Sequence, residues 1–173
     1  MNYENEKQMY PDVARWLHEL LKGRYRGAVI DVRDTHATPL NEYILRHGLQ
    51  EYFEGDQWHT YDILVDLTAF IKSKNKKGPV FVECKVTMVN LLNVSQLLGY
   101  SRVASPLSSY LLSSKGIGGN VQSLLTTYDR SDILEYHWDK GESPRKIVIA
   151  KWDYSSKSID SSSVLPPGSS GQL

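Results

Sequence analysis

A single cysteine, Cys84, in 173 residues leaves no intramolecular disulfide and no Cys-rich zinc site to consider, and points to a reducing, intracellular setting. No apolar run approaches the roughly 20 residues that span a bilayer, and residues 1–7 are too polar for a signal sequence. A soluble, cytoplasmic protein without a membrane partner is expected. Nor does either charge dominate, since twenty basic and twenty acidic side chains cancel. That balance excludes a polycation that coats nucleic acid indiscriminately, so any such contact must come from local asymmetry. No internal repeat is evident. The five histidines, His18, His36, His47, His59 and His137, lack ligand-like spacing and read as structural or solvated.

The length fits one domain able to bury most of its apolar surface. Pro11, followed by Val13, Trp16, Leu17, Leu20 and Leu21, has the spacing of an amphipathic helix that ends at Gly23. Residues 28–33 read as a short strand, and Thr38-Pro39 opens a helix through Ile44 and Leu45 that Gly48 closes. Across residues 61–71 the odd positions are apolar, while Asp62, Asp66 and Thr68 fall on even ones, which predicts a long strand with one core face. A polar connection, 72–79, leads to a strand over 80–86 in which Val80, Val82, Cys84 and Val86 face the core. Glu83 and Lys85 face the other way. A hairpin with Ile71 opposite Val80 would set Leu67 against Cys84 and Asp66 against Lys85, with Glu83 diagonal to Asp66. A one-residue slip would invert the faces.

A helix over 91–103 carries Gln96 and Tyr100 one turn apart, and a strand over 109–112 follows. The turn Gly116 to Gly119 leads into a helix through Val121, Leu124 and Leu125, and two more strands are expected at 133–136 and 146–152. The composition therefore describes a single domain over 1–154. The Ser, Gly and Pro content of 155–173 predicts a flexible tail.

Two opposite charges on one strand face must find partners or water. A metal cleft provides them; a salt bridge on a solvated edge is the alternative. The order Asp66, hairpin, Glu83-Cys84-Lys85, then a helix bearing Gln96-Leu97-Leu98-Gly99-Tyr100, resembles the PD-(D/E)XK nuclease superfamily. It looks most like archaeal Holliday-junction resolvases and related archaeal or viral nucleases. The likeness covers roughly residues 12–114, and the family's namesake Pro is absent, Val65 standing before Asp66.

The resemblance implies an α/β, restriction-endonuclease-like core: a mixed central sheet flanked by helices in the order α-β-β-β-α-β, with a further helix and strands after it. It implies Mg²⁺-dependent hydrolysis of DNA, with Mn²⁺ as a substitute, four-way junctions among the substrates, and a homodimer. Asp66, Glu83 and the Cys84 carbonyl would hold the ion. Lys85 would orient the attacking water, and Gln96 would orient Lys85, water or phosphate. The superfamily often supplies a further acid from its first helix, here Glu19, holding the ion through water or seating a second one; a solvated helix acid is the alternative. Tyr100 reads as a packing residue with a phenolic hydrogen bond.

Lys72, Lys74, Lys76 and Lys77 on the hairpin, with Arg102, are candidates for contacts to a nucleic-acid backbone, against a merely solvated loop. The Gly116 turn could seat a phosphate but lacks the Lys and Ser/Thr of a nucleotide loop. Two other readings stay open: an inactive nucleic-acid-binding or assembly module with this fold, and RNA as the substrate.

Overall fold

The computed structural model describes residues 3–137 and 143–169, and within them the stripe Val13, Leu17 and Leu21 folds as helix α1 (Tyr10–Arg24) with Pro11 in its first turn. After it come β1 (Val29–Asp34), α2 (Leu40–His47), β2 (Leu67–Lys72), β3 (Lys77–Lys85), α3 (Leu91–Ala104) and β4 (Ser108–Ser113). The chain continues through α4 (Gly119–Thr126), β5 (Glu135–His137), β6 (Arg145–Asp153) and β7 (Ser158–Ile159). The strands build one mixed, open sheet in the order β1-β2-β3-β4-β6-β5, with β7 on β6. β1, β2 and β3 pair antiparallel, whereas β3, β4 and β6 run parallel. The α/β class and the order α-β-β-β-α-β from α1 to β4 are as expected, with α2 inserted between β1 and β2.

A sheet covered on both faces needs apolar residues at successive strand positions. Val13, Leu17 and Leu21 of α1 pack on Leu67, Val80, Val82, Tyr110 and Val148 on one face, where Cys84 is also fully buried. Helices α2, α3 and α4 cover the other, through Leu40, Ile44, Leu97 and Leu125 against Phe70, Phe81, Leu111 and Ile149. Gly48, at φ 67°, ends α2 in the left-handed conformation that favours glycine.

The hairpin register differs from the expected one by two residues: Ile71 faces Gly78, and Leu67 faces Val82. Ser73 closes the turn on Lys76 through both amide and hydroxyl, so residues 77–79 join the ladder instead of the loop. Pro79 is tolerated there because its missing N–H lies on the β4 side, where pairing begins only at Val80. A slip of two keeps every side chain on its face.

Residues 61–66 are not part of a strand. The carbonyls of Tyr61 and Ile63 accept the amides of Asn41 and Leu40 at 3.0 and 2.9 Å, so their hydrogen bonds go to the first turn of α2. Tyr61, Ile63 and Val65 pack in the layer beside α2, whereas Leu67, Ala69 and Ile71 pack in the layer beside α1. The expected single core face is therefore split, and the chain changes sides at Asp66.

Residues 155–169, expected as a flexible tail, are laid against β6. Trp152 pairs with Ile159, and Ile149 and Leu165 exchange two backbone hydrogen bonds of 2.8 Å. Val164 and Leu165 are buried, and residues 170–173 of the expected tail lie outside the described residues. Among the described residues no helix is long and apolar enough to cross a membrane.

Candidate functional site

β2 starts at Leu67 opposite Val82, so β3 runs on through Glu83, Cys84 and Lys85 with β4 on one side and a notch on the other. Asp66 fills that notch. Its Oδ2 accepts the Cys84 amide at 2.8 Å, replacing the ladder bond that β2 no longer supplies, and its Oδ1 accepts the Tyr10 hydroxyl at 2.6 Å. The Lys85 carbonyl turns toward β4, where it accepts the Ser114 amide at 3.0 Å. Strand alternation then turns the Cys84 carbonyl the opposite way, to the side of Asp66.

Glu83 is 3% exposed, and its Oε1 receives Lys85 Nζ at 3.1 Å and Gln96 Nε2 at 3.4 Å. Its Oε2 is buried and has no hydrogen-bond partner. Lys85 Nζ also lies 3.3 Å from Glu6 Oε1. Gln96 therefore steadies Glu83 rather than Lys85, and its amide also donates to the Tyr100 hydroxyl at 3.3 Å.

Burial, and then the charge of Asp66, push the Glu83 carboxyl up to about 7, with Lys85 working against them. Burial disfavours the Lys85 charge, yet Glu83 and Asp66 outweigh it and the ammonium holds its proton more tightly than usual. The Tyr10 phenol is raised by burial and by its bond to Asp66, so it stays a donor. Burial also raises the Cys84 thiol, which stays protonated and inert.

Asp66, Glu83, Lys85 and Gln96 are thus brought together. Glu19 is not. It is two-thirds exposed and paired with His18 Nδ1 at 3.3 Å. Nine residues beyond Tyr10 at about 100° each place it half a turn away from the buried stripe and about 13 Å up the helix. The acid that the amino-terminal region does bring to the site is Glu6, in a 3-10 turn over Glu6–Gln8. Glu6 and Tyr10 stand four residues apart just before Pro11, a helical spacing that is legible in the sequence once the helix start is known to face the site.

The hairpin lysines lie at the other end of the sheet, because β3 carries Lys77 at one end and Lys85 at the other, eight residues and about 26 Å apart. Lys72 there contacts Glu51. Arg102 lies toward the far end of α3, its Nη2 donating to the Glu135 carbonyl at 3.3 Å. The glycine turn before α4 is occupied structurally: the Gly118 amide bonds the Val89 carbonyl at 2.9 Å, and a Cβ there would meet that oxygen at 2.8 Å. His36, read as structural or solvated, lines an open cleft of about 570 Å³ with Glu6, Tyr10 and Asp66.

Among the described residues no three His, Cys, Asp or Glu side chains are grouped to hold an ion. The donors at the notch are instead two carboxylates, Asp66 and Glu83, with the Cys84 carbonyl. These all-oxygen donors fit a hard divalent cation, and the partnerless Glu83 oxygen is the atom such a cation would satisfy. The same ion would relieve the repulsion that Asp66 exerts on Glu83. Comparison with protein-family models, with curated proteins and with solved structures returns no match.

Proposed function

We propose that this chain is a Mg²⁺-dependent nuclease of the PD-(D/E)XK type that hydrolyses phosphodiester bonds in DNA. The observation that carries this reading is the notch at the end of β3, where Asp66, Glu83 and Lys85 converge and one buried Glu83 oxygen has no partner. Asp66, Glu83 and the Cys84 carbonyl would hold the ion, which when bound would acidify a water and compensate charge on the phosphate. Lys85 stays protonated and offers its charge to the non-bridging phosphate oxygens, where negative charge builds as water adds to phosphorus. Tyr10 and the Cys84 amide fix Asp66, and Gln96 fixes Glu83, so these groups are oriented before substrate arrives. The P–O3′ bond then breaks, leaving a 5′-phosphate and a 3′-hydroxyl.

The test is incubation of purified protein with linear, circular and four-way-junction DNA and with RNA, in Mg²⁺, Mn²⁺ or chelator. DNA should be cut with either metal and not in chelator. Glu83→Ala and Lys85→Ala should each abolish cutting without unfolding the domain, and activity retained in both would remove the mechanism. Cutting of RNA alone would change the substrate, and metal binding without turnover would favour the inactive module. Paired incisions in a junction need two sites, so junction cleavage should come with a dimer in sedimentation.

A further inference from the structure

Cutting a phosphodiester expels an alkoxide, which needs a proton as the P–O3′ bond breaks. The cleft beside Asp66 is lined by Glu4, Glu6, Lys7, Tyr10 and His36. Ionised carboxylates only accept protons. Tyr10 has committed its hydroxyl to Asp66 at 2.6 Å, and burial tightens its hold on the proton. Lys85 is bracketed by Glu83 at 3.1 Å and Glu6 at 3.3 Å, which likewise retain its proton. Lysine ammonium groups are in general far weaker acids than imidazolium, which sets Lys7 aside as well.

His36 is held differently. Its Nδ1 lies 2.5 Å from Asp34 Oδ1, and its backbone amide donates to the same oxygen at 3.2 Å. Because a carboxylate only accepts, Nδ1 carries a hydrogen, and Nε2 is the nitrogen that can exchange a proton with a ligand. The ring lies 5.5 Å from that of Tyr10, centroid to centroid, and Tyr10 in turn bonds Asp66. One aromatic ring thus separates the imidazole from a carboxylate of the notch.

We propose that His36, steered by Asp34, is a catalytic residue that protonates the leaving oxygen, an inference that rests on the nuclease reading above. Water adds to phosphorus, the P–O3′ bond breaks with its electrons going to O3′, and the proton on Nε2 of the imidazolium passes to that oxygen. The proton lost by the attacking water restores the imidazolium through solvent.

The experiment measures single-turnover cleavage by the wild type, His36→Gln and His36→Ala on two DNA duplexes. One carries the ordinary linkage at the mapped cleavage position, and the other carries sulfur in place of the bridging 3′ oxygen. A thiolate leaves without needing a proton. The variants should lose about 100-fold or more on the oxygen linkage and less than about tenfold on the sulfur one, with DNA binding in chelator unchanged. Asp34→Asn should show a smaller loss confined to the oxygen linkage. Equal losses on both linkages, or no loss, would overturn the role of His36 while leaving the nuclease reading in place. Failure of the wild type to cut either duplex would instead remove the nuclease reading itself.

Discussion

Replacing Glu83 by glutamine should make the metal-free protein more stable above pH 7, although it deletes a side chain of the candidate site. In the folded chain this carboxyl is pushed from an ordinary 4.5 up to about 7, by burial first and then by the charge of Asp66. The folded state therefore keeps a proton that the unfolded chain releases. Below about pH 4.5 both states are protonated and nothing is lost; between 4.5 and 7 stability falls as the unfolded carboxyl ionises alone; above 7 the deficit stays constant. At about 1.4 kcal/mol per pH unit, that window amounts to about 3 kcal/mol at pH 8. Glutamine escapes this cost but must place an NH₂ group beside Lys85, which leaves a net gain of about 2 kcal/mol. In a domain of this size that gain is about 4–8 °C in Tm. The assay is urea unfolding of wild type and Glu83→Gln in chelator from pH 4 to 9. The gap should open as pH rises and reverse sign near pH 4, where the carboxyl is protonated in both states and only the cost of about 1 kcal/mol of the glutamine NH₂ beside Lys85 remains. A gap that does not change with pH, or a variant less stable than wild type at pH 8, would refute the reasoning. Adding Mg²⁺ should then stabilise only the wild type, by about 2.7 kcal/mol at a hundred times its Kd, and close or invert the order.

Tyr10→Phe removes the hydroxyl that holds Asp66 and should cost about 1.5–3 kcal/mol of stability while weakening Mg²⁺ binding in calorimetry. Tyr61→Phe, which loses a 3.4 Å bond to the Ala104 carbonyl, should change stability alone. Glu6→Gln should slow single-turnover cleavage by about tenfold by loosening Lys85, whereas Glu19→Gln should leave the rate unchanged; the reverse pattern would return the helix acid to Glu19. Leu165→Ala should lower stability by about 2–5 kcal/mol in thermal or urea unfolding, and a negligible effect would mean that residues 155–169 contribute no packing.

The sequence pattern carried Asp66, Glu83 and Lys85 into one place for a reason that tolerates error. Side-chain parity repeats every two residues, so a register wrong by two still puts Glu83 and Lys85 on one face, at the end of the strand nearest Asp66. Parity says nothing about which partner takes the backbone hydrogen bonds. Tyr61 and Ile63 alternate as a strand would, yet their carbonyls serve the first turn of α2. Composition is blind in another way: a Ser- and Pro-rich segment has few large apolar anchors, Ile159, Val164 and Leu165, but pairing of Ile159 with Trp152 and two backbone bonds between Leu165 and Ile149 seat them. Helical periodicity located the stripe of α1 but not which end of it meets the sheet's acidic notch. The sequence therefore offers Glu19 as the helix acid where the structure brings Glu6 to Lys85, and the hairpin lysines lie about 26 Å along β3 from the site.

The notch itself follows from a mismatch in strand length. β3 outruns β2, and a buried amide left by the missing partner must be satisfied, since an unpaired one is costly. Asp66 satisfies it with a side chain instead of a backbone carbonyl, which is possible because the chain changes sheet face at that residue and frees its carboxylate to lie along the edge. The repair brings a negative charge to the end of β3, and that charge then disfavours ionisation of Glu83. A purely structural solution would end the mismatch with a neutral acceptor such as asparagine or serine, and would fill the Glu83 position with an apolar residue like its face-mate Phe81. Retention of a carboxylate at both positions, with Lys85 between Glu83 and Glu6 and one Glu83 oxygen unpartnered, keeps the folded chain less stable than it could be unless a cation occupies the notch. Stability curves with and without Mg²⁺ therefore test the proposed ion at this acidic edge independently of the cleavage assay, because they read binding to the folded chain and not turnover.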